Sequence, residues 1–198
     1  MKSKFLICFV LISAINSGYS QTYDLINEIF QPKSQDTTYL ANMFMSYQNP
    51  SLNKIFEEAT LRYLWNPLPI KDNEMPSIEP FLEQFNLPIL IKEYKKDNKD
   101  IPINPELLHI SFKLITKTKV DSIRAMVKNE GINDYRKYLK KGFISLTKPI
   151  FNSSNEWAFI ITESYNPYLH IAGGGMLRVY RKINNKWELY HTVTLWFV

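Results

Sequence analysis

Lys186-Trp187-Glu188-Leu189-Tyr190-His191-Thr192-Val193-Thr194-Leu195-Trp196-Phe197 is the stretch that decides the fold. It is rich in aromatic and β-branched residues, the side chains that suit a pleated sheet. Trp187, Leu189, His191, Val193 and Leu195 share one phase, and Glu188, Tyr190, Thr192, Thr194 and Trp196 the other. That is a strand pattern. Asn184-Asn185 lies directly upstream. Asparagine tolerates positive φ, so the pair suits a tight hairpin to a strand over 176–182. Two further strands are expected over 157–164 and 143–151, joined by the polar turn Asn152-Ser153-Ser154-Asn155. Short links between sequential strands imply an antiparallel meander of about four strands. Pro149 lacks a ladder donor, so the first strand lies at an edge or ends there.

Upstream the period changes. Tyr23, Ile26 and Phe30 recur at helical spacing, with Thr22 as N-cap, and Pro32 ends the segment. A second helix is expected over 38–47 and a third through Ile55, Ala59, Arg62 and Tyr63. Residues 66–105 carry most of the prolines, with a short helix over 78–85. Residues 87–94 read as strand or helix, and the charge run 92–100 as a solvated loop. Residues 109–116 alternate as a strand. Val120, Ile123 and Val127 then mark a helix that Gly131 stops, and another short helix is expected after Asn133-Asp134. The expected class is α+β, with N-terminal helices packed on a C-terminal antiparallel meander. Residues 21–198 form one domain, helical and Pro-rich over 21–142 and a sheet over 143–198.

Residues 1–20 have the form of a cleaved secretory signal. Lys2 and Lys4 precede an apolar run over 5–15, and Gly18 and Ser20 supply the small residues before the cleavage point. Spanning a bilayer takes about 20 apolar residues, more than this run has. Gln21 is then the mature N-terminus, and the product is exported, periplasmic or extracellular, and not membrane-spanning. Cys8 is the single cysteine. Its loss with the signal excludes disulfides, thiolate metal sites and cysteine nucleophiles from the mature chain. Of 24 basic residues, Lys2 and Lys4 leave too, so 22 face 19 acidic ones, a formal +3. So mild a charge gives no basic stripe for nucleic acid. A 45% hydrophobic share is enough for a core and excludes disorder.

Residues 143–151, Trp157-Ala158-Phe159-Ile160-Ile161, Gly173-Gly174-Gly175-Met176-Leu177, Lys186-Trp187 and Leu195-Trp196-Phe197-Val198 occur in an order that resembles uncharacterised secreted proteins of AT-rich Gram-negative bacteria. The resemblance covers about residues 135–198 and implies secretion and strand order, with no activity attached. Where those relatives often carry cysteines, this chain has Tyr168-Leu169-His170-Ile171-Ala172. Helices followed by a curved antiparallel sheet are also similar to small cone folds of the NTF2-like kind.

Chemistry is thinly marked. Gly173-Gly174-Gly175 precedes a strand, whereas a phosphate loop precedes a helix, so it reads as a hairpin connection or bulge. His109, His170 and His191 show no metal-ligand spacing, and no metal or cofactor is expected. Glu163 with His170 or His191 is the acid–base set to examine. Tyr168, Arg178, Tyr180, Tyr190 and Trp196 are the binding candidates, as aromatics and a cation on sheet positions. Three functions are open: an exported non-enzymatic module binding a small ligand or protein partner, a small hydrolase- or isomerase-like enzyme, or an envelope-associated structural protein.

Overall fold

The structure is a computed structural model that describes residues 20–30, 39–45, 56–65, 76–89, 92, 100–110, 113–130, 142–165 and 173–197. Two compact units result, one from Met1–Gln35 with Asn104–Ser111, the other from Asp36–Ile103 with Phe112–Val198.

In the first unit helix α1 covers residues 20–29 and buries Tyr23, Leu25, Ile26 and, just past its end, Phe30. Thr22 lies inside this helix and is buried, so it is not the expected N-cap. Side chains of α1 close the backbone groups of the segment after residue 103. Asn27 Nδ2 donates to the Leu107 carbonyl and Asn27 Oδ1 accepts from His109 N–H, at 2.9 and 2.8 Å. The Tyr23 hydroxyl accepts from Asn104 N–H at 2.7 Å. Asn104 caps the 3-10 turn Pro105–Leu107 by accepting from Glu106 N–H. Of the strand expected over 109–116, His109 and Ile110 therefore stay outside the sheet, while Lys113–Ile115 does form a strand.

Among the described residues the second unit is an eight-stranded mixed sheet with helices, which places the chain in the α+β class. Its strands are β1 (Tyr39–Phe44), β2 (Ile101–Pro102), β3 (Lys113–Ile115), β4 (Phe143–Leu146), β5 (Ile150–Phe151), β6 (Trp157–Tyr165), β7 (Gly173–Ile183) and β8 (Lys186–Phe197). The order is β2-β1-β4-β6-β7-β8, with β3 on β1 and β5 on β6. The four-strand meander is therefore a correction: β4, β6, β7 and β8 do run antiparallel, but β1 joins β4 in parallel and extends the sheet. The expected helix over 38–47 is also corrected, since its core is β1. A register shift between Leu40 and Phe44 buries side chains at 40, 41, 44 and 45, a spacing that imitates a helix.

Local chemistry explains the hairpin. Asn184 and Asn185 have φ of 50° and 62°, and Ile183 pairs with Lys186 across them. Two consecutive positive φ values give the turn whose twist matches the strands. The 152–155 turn is held by Asn152, whose Oδ1 accepts from Glu156 and Trp157 N–H at 3.0 and 3.1 Å. Pro149 falls in the gap between β4 and β5. There Thr147 bridges to β6, its N–H donating to the Ile161 carbonyl and its hydroxyl accepting from Ile161 N–H. The glycine run is not a connection: β7 begins at Gly173 and pairs Gly173, Gly174 and Gly175 with Tyr165, Ser164 and Glu163.

Helices α2 (Glu58–Trp65) and α3 (Glu79–Gln84) pack on one sheet face. Leu61, Trp65, Phe81 and Phe85 meet Trp157, Phe159, Ile161, Leu177, Val179 and Val193. Each such side chain contributes about 1.5–3 kcal/mol on burial. The Trp65 indole donates to the Pro76 carbonyl at 2.8 Å, and Arg62 pairs with Glu79, which ties the two helices together. Farther along the same face α4 (Lys117–Glu130) sets Val120 and Ile123 against Ala41, Met45, Phe143 and Tyr165. The residues where Gly131 and the following helix were expected lie outside the described residues. Trp157 through Thr162 are buried on both faces of β6, which accounts for the unbroken apolar run in the sequence.

Candidate functional site

The two sheet faces treat the candidate residues differently. On the helix-bearing face Ser145 of β4 stands opposite Glu163 of β6, between the α2–α3 core and the α4 core. Arg124 of α4 reaches both: its Nη2 pairs with Glu163 Oε2 and lies 3.3 Å from Ser145 Oγ, which donates to Glu163 at 3.2 Å. Gly175, the β7 partner of Glu163, has no Cβ to compete for this space. Burial opposes the Arg124 charge, but the Glu163 carboxylate more than offsets it and holds the guanidinium above its ordinary range. Asp121 lies 3.7 Å from Arg124, and Lys117 joins Asp121 to Asp100. The free space between Arg124, Ser145, Thr147, Ile161 and Glu163 is about 10 Å³. That holds about one water and no substrate. Glu163 is thus a paired structural carboxylate.

His191 is occupied as well. Its ring stacks on Trp65 at 4.2 Å and 23°, and its Nε2 lies 3.2 Å from the Trp65 carbonyl at the end of α2. Burial lowers its pKa, with the Trp65 hydrogen bond opposing. The ring is therefore neutral near pH 7 and Nε2–H donates to the carbonyl. Glu163 pairs across β7 with Gly175, whose β8 partner is Trp196, five residues from His191. Two strand spacings of about 4.8 Å and some five residues at about 3.3 Å separate the two groups by roughly 15–20 Å. They do not form an acid–base pair. His170 lies outside the described residues, and so does Tyr168.

Tyr190 falls at a register shift in β8 and faces the helices. It packs against Trp157 and Trp65, and its hydroxyl donates to the Ser77 carbonyl at 2.8 Å. It joins the core rather than a binding surface. Trp196 pairs with Gly175; its side chain lies outside the described residues.

Arg178 and Tyr180 lie on the opposite face. Successive rungs there join Met176 to Thr194, Arg178 to Thr192, Tyr180 to Leu189 and Lys182 to Trp187. Tyr180 is buried, and that burial raises its phenol pKa, with the Arg178 charge and hydrogen bond opposing. Arg178 is half-buried. The guanidinium bonds the Tyr180 side chain and its Nη2 lies 3.9 Å from the Met176 thioether, while its Nε is buried with no hydrogen-bond partner. Among the described residues no carboxylate pairs with it. Trp187 Nε1 is a second buried donor without a partner, and Leu189 is 56% exposed between these two rungs.

The residues that sequence reasoning missed are Arg124, Ser145 and Thr147. Arg124 interrupts the apolar stripe of Val120 and Ile123, and a cation in that position signals a buried partner. Among the described residues no group of three or more His, Cys, Asp or Glu side chains could hold a metal ion, and no helix is long and apolar enough to cross a membrane. Comparison with protein-family models, with curated proteins and with solved structures returns no match.

Proposed function

We propose that this chain is an exported, non-enzymatic binding module whose ligand engages the exposed part of strand β8 at Leu189, beside half-buried Arg178. The observation that carries the reading is the Arg178 guanidinium: half-buried, with an unpartnered Nε and no carboxylate among the described residues. A buried donor without an acceptor costs about 1–3 kcal/mol, more when charged, and ordinary folding removes it. By contrast Glu163, His191 and Tyr190 each have a structural partner that explains them. The signal-like segment and the resemblance to secreted proteins support export.

A thermal-shift screen of residues 21–198 against small-molecule and glycan panels tests the reading. A ligand that binds the folded state alone raises the melting temperature, by about 2.7 kcal/mol of stabilisation at a hundred times its Kd. The reading expects such ligands, with Leu189→Asp abolishing their effect and no turnover of any of them. A panel without a single stabilising ligand, or one whose effects survive Leu189→Asp, contradicts it.

A further inference from the structure

We infer that the free edge of β8 is a self-association surface, on which a second copy of this chain pairs its own β8 antiparallel about a two-fold axis between Tyr190 and His191. Self-association goes beyond the binding reading and is independent of it. The ladder fixes which backbone groups are free. Lys182 N–H donates to the Glu156 carbonyl at 2.7 Å, so the even-numbered residues of β7 turn their backbone groups toward β6. Ile183, Arg181, Val179 and Leu177 then bond β8 through Lys186, Glu188, His191 and Val193. The β8 residues between these, Trp187, Leu189, Thr192 and Thr194, turn N–H and C=O away from β7. β8 is the last strand of the sheet, and among the described residues no backbone group outside it bonds to these four. The two edges of the sheet differ. At the far edge stand β2, two residues that end in Pro102, and β3, three residues, which is how an edge is blunted. β8 has 12 residues, no proline, and only Lys186 and Glu188 as acidic or basic side chains other than His191. Leu189 and Thr194, two of the four free positions, are exposed. The bulge selects the partner. Tyr190 is the extra residue between the Tyr180–Leu189 and Val179–His191 pairs, so the free positions follow one another at two, three and two residues. A strand that meets all four residue for residue needs the same gap, and β8 itself has it at the centre of the row. Run antiparallel, Trp187 faces the second copy's Thr194 and Leu189 faces its Thr192, each twice by symmetry. Each facing pair exchanges two bonds, about eight in all. Lys186 and Glu188 fall opposite the second copy's Leu195 and Val193, so no like charges meet. Such a contact closes at the dimer and leaves no β8 edge free.

The test uses residues 21–198, which lack Cys8, so that one introduced cysteine carries the only nitroxide label. Sedimentation equilibrium from micromolar to near-millimolar concentration should show a monomer–dimer equilibrium. Double electron–electron resonance then reads the register. Thr194 faces the second copy's Trp187, so labels at Thr194→Cys lie seven residues apart along the seam, about 20–23 Å of backbone with the bulge allowed for. Labels at Lys186→Cys, nine residues apart, should read about 26–30 Å. Leu189→Glu/Thr192→Glu sets like charges on both central rungs and should weaken the dimer about tenfold or more. Leu189→Glu alone faces only the second copy's Thr192 and should weaken it far less. A monomer at every concentration overturns the inference and leaves the ligand reading standing. So does a dimer whose labels do not give this pair of distances, or one that the double variant leaves intact. The two label distances decide alone where the double variant does not fold.

Discussion

Removing Arg124 should destabilise the protein far more than removing it together with Glu163. The two side chains are 27% and 13% exposed, so the pair is largely withdrawn from water. Arg124→Met leaves the Glu163 carboxylate with Ser145 as its neutral donor, in a niche of about 10 Å³ that holds about one water. Breaking a buried pair from one side costs about 3–5 kcal/mol, while replacing both partners by apolar groups is often neutral. Arg124 keeps some contact with solvent, so about 2–4 kcal/mol is the reasonable figure for the single variant. At about 2–4 °C per kcal/mol for a chain of this size, its melting temperature should fall roughly 5–15 °C. Arg124→Met/Glu163→Met should recover most of that loss. The assay is urea unfolding followed by tryptophan fluorescence, with Trp65, Trp157 and Trp187 all buried reporters. Single variants within about 0.5 kcal/mol of wild type, or a double variant as unstable as the sum of the singles, would refute the reasoning.

Three further outcomes follow from the same contacts. Phe81→Ala should cost about 3–5 kcal/mol in the same urea assay, because Phe81 is wholly buried against Trp65, Phe85 and Phe159. Asn185 sits at φ 62°, so Asn185→Gly should leave stability level or raise it, and Asn185→Val should lower it by about 1–2 kcal/mol in thermal melts. His191 has a lowered pKa in the folded state, so the unfolded chain binds its proton first. Its stabilising effect is complete above the unfolded value of about 6.5 and is lost as pH falls through the folded one. A melting-temperature series below pH 7 should flatten in His191→Gln relative to wild type.

The β6–β7–β8 part of the sheet was legible because its signals are local. Asn184-Asn185 fixes one turn by its own φ values, and Asn152 fixes another by bonding the next residues of the same chain. β1 was not legible. Its partners β3 and β4 are remote in sequence, and its irregular register gives buried positions a helix-like spacing. Leu40, Ala41 and Met43 are also good helix formers, so propensity pointed the same wrong way. Of the two readings of the glycine run, the connection fails because its residues pair with β6, while the bulge agrees with a register shift between Gly175 and Met176. Of the site, Glu163 was visible as a charge in phase with Trp157, Phe159 and Ile161. Its role was not, because the cation that neutralises it comes from a helix 39 residues away. Arg178 and Tyr180 share a phase in the sequence and a face in the structure. Tyr190 stays opposite Trp187 as its phase implied, but a register shift in β8 puts Thr192 and Thr194, which share its phase in the sequence, on the other face.

The binding function stands most directly on where a ligand sits. A crystal structure of residues 21–198 grown with a ligand from the thermal-shift screen addresses this in one measurement. The expected result is a ligand seated against exposed Leu189, beside Arg178. A ligand seated instead at the Arg124–Glu163–Ser145 niche, or an Arg178 paired with a carboxylate of its own chain, would contradict it.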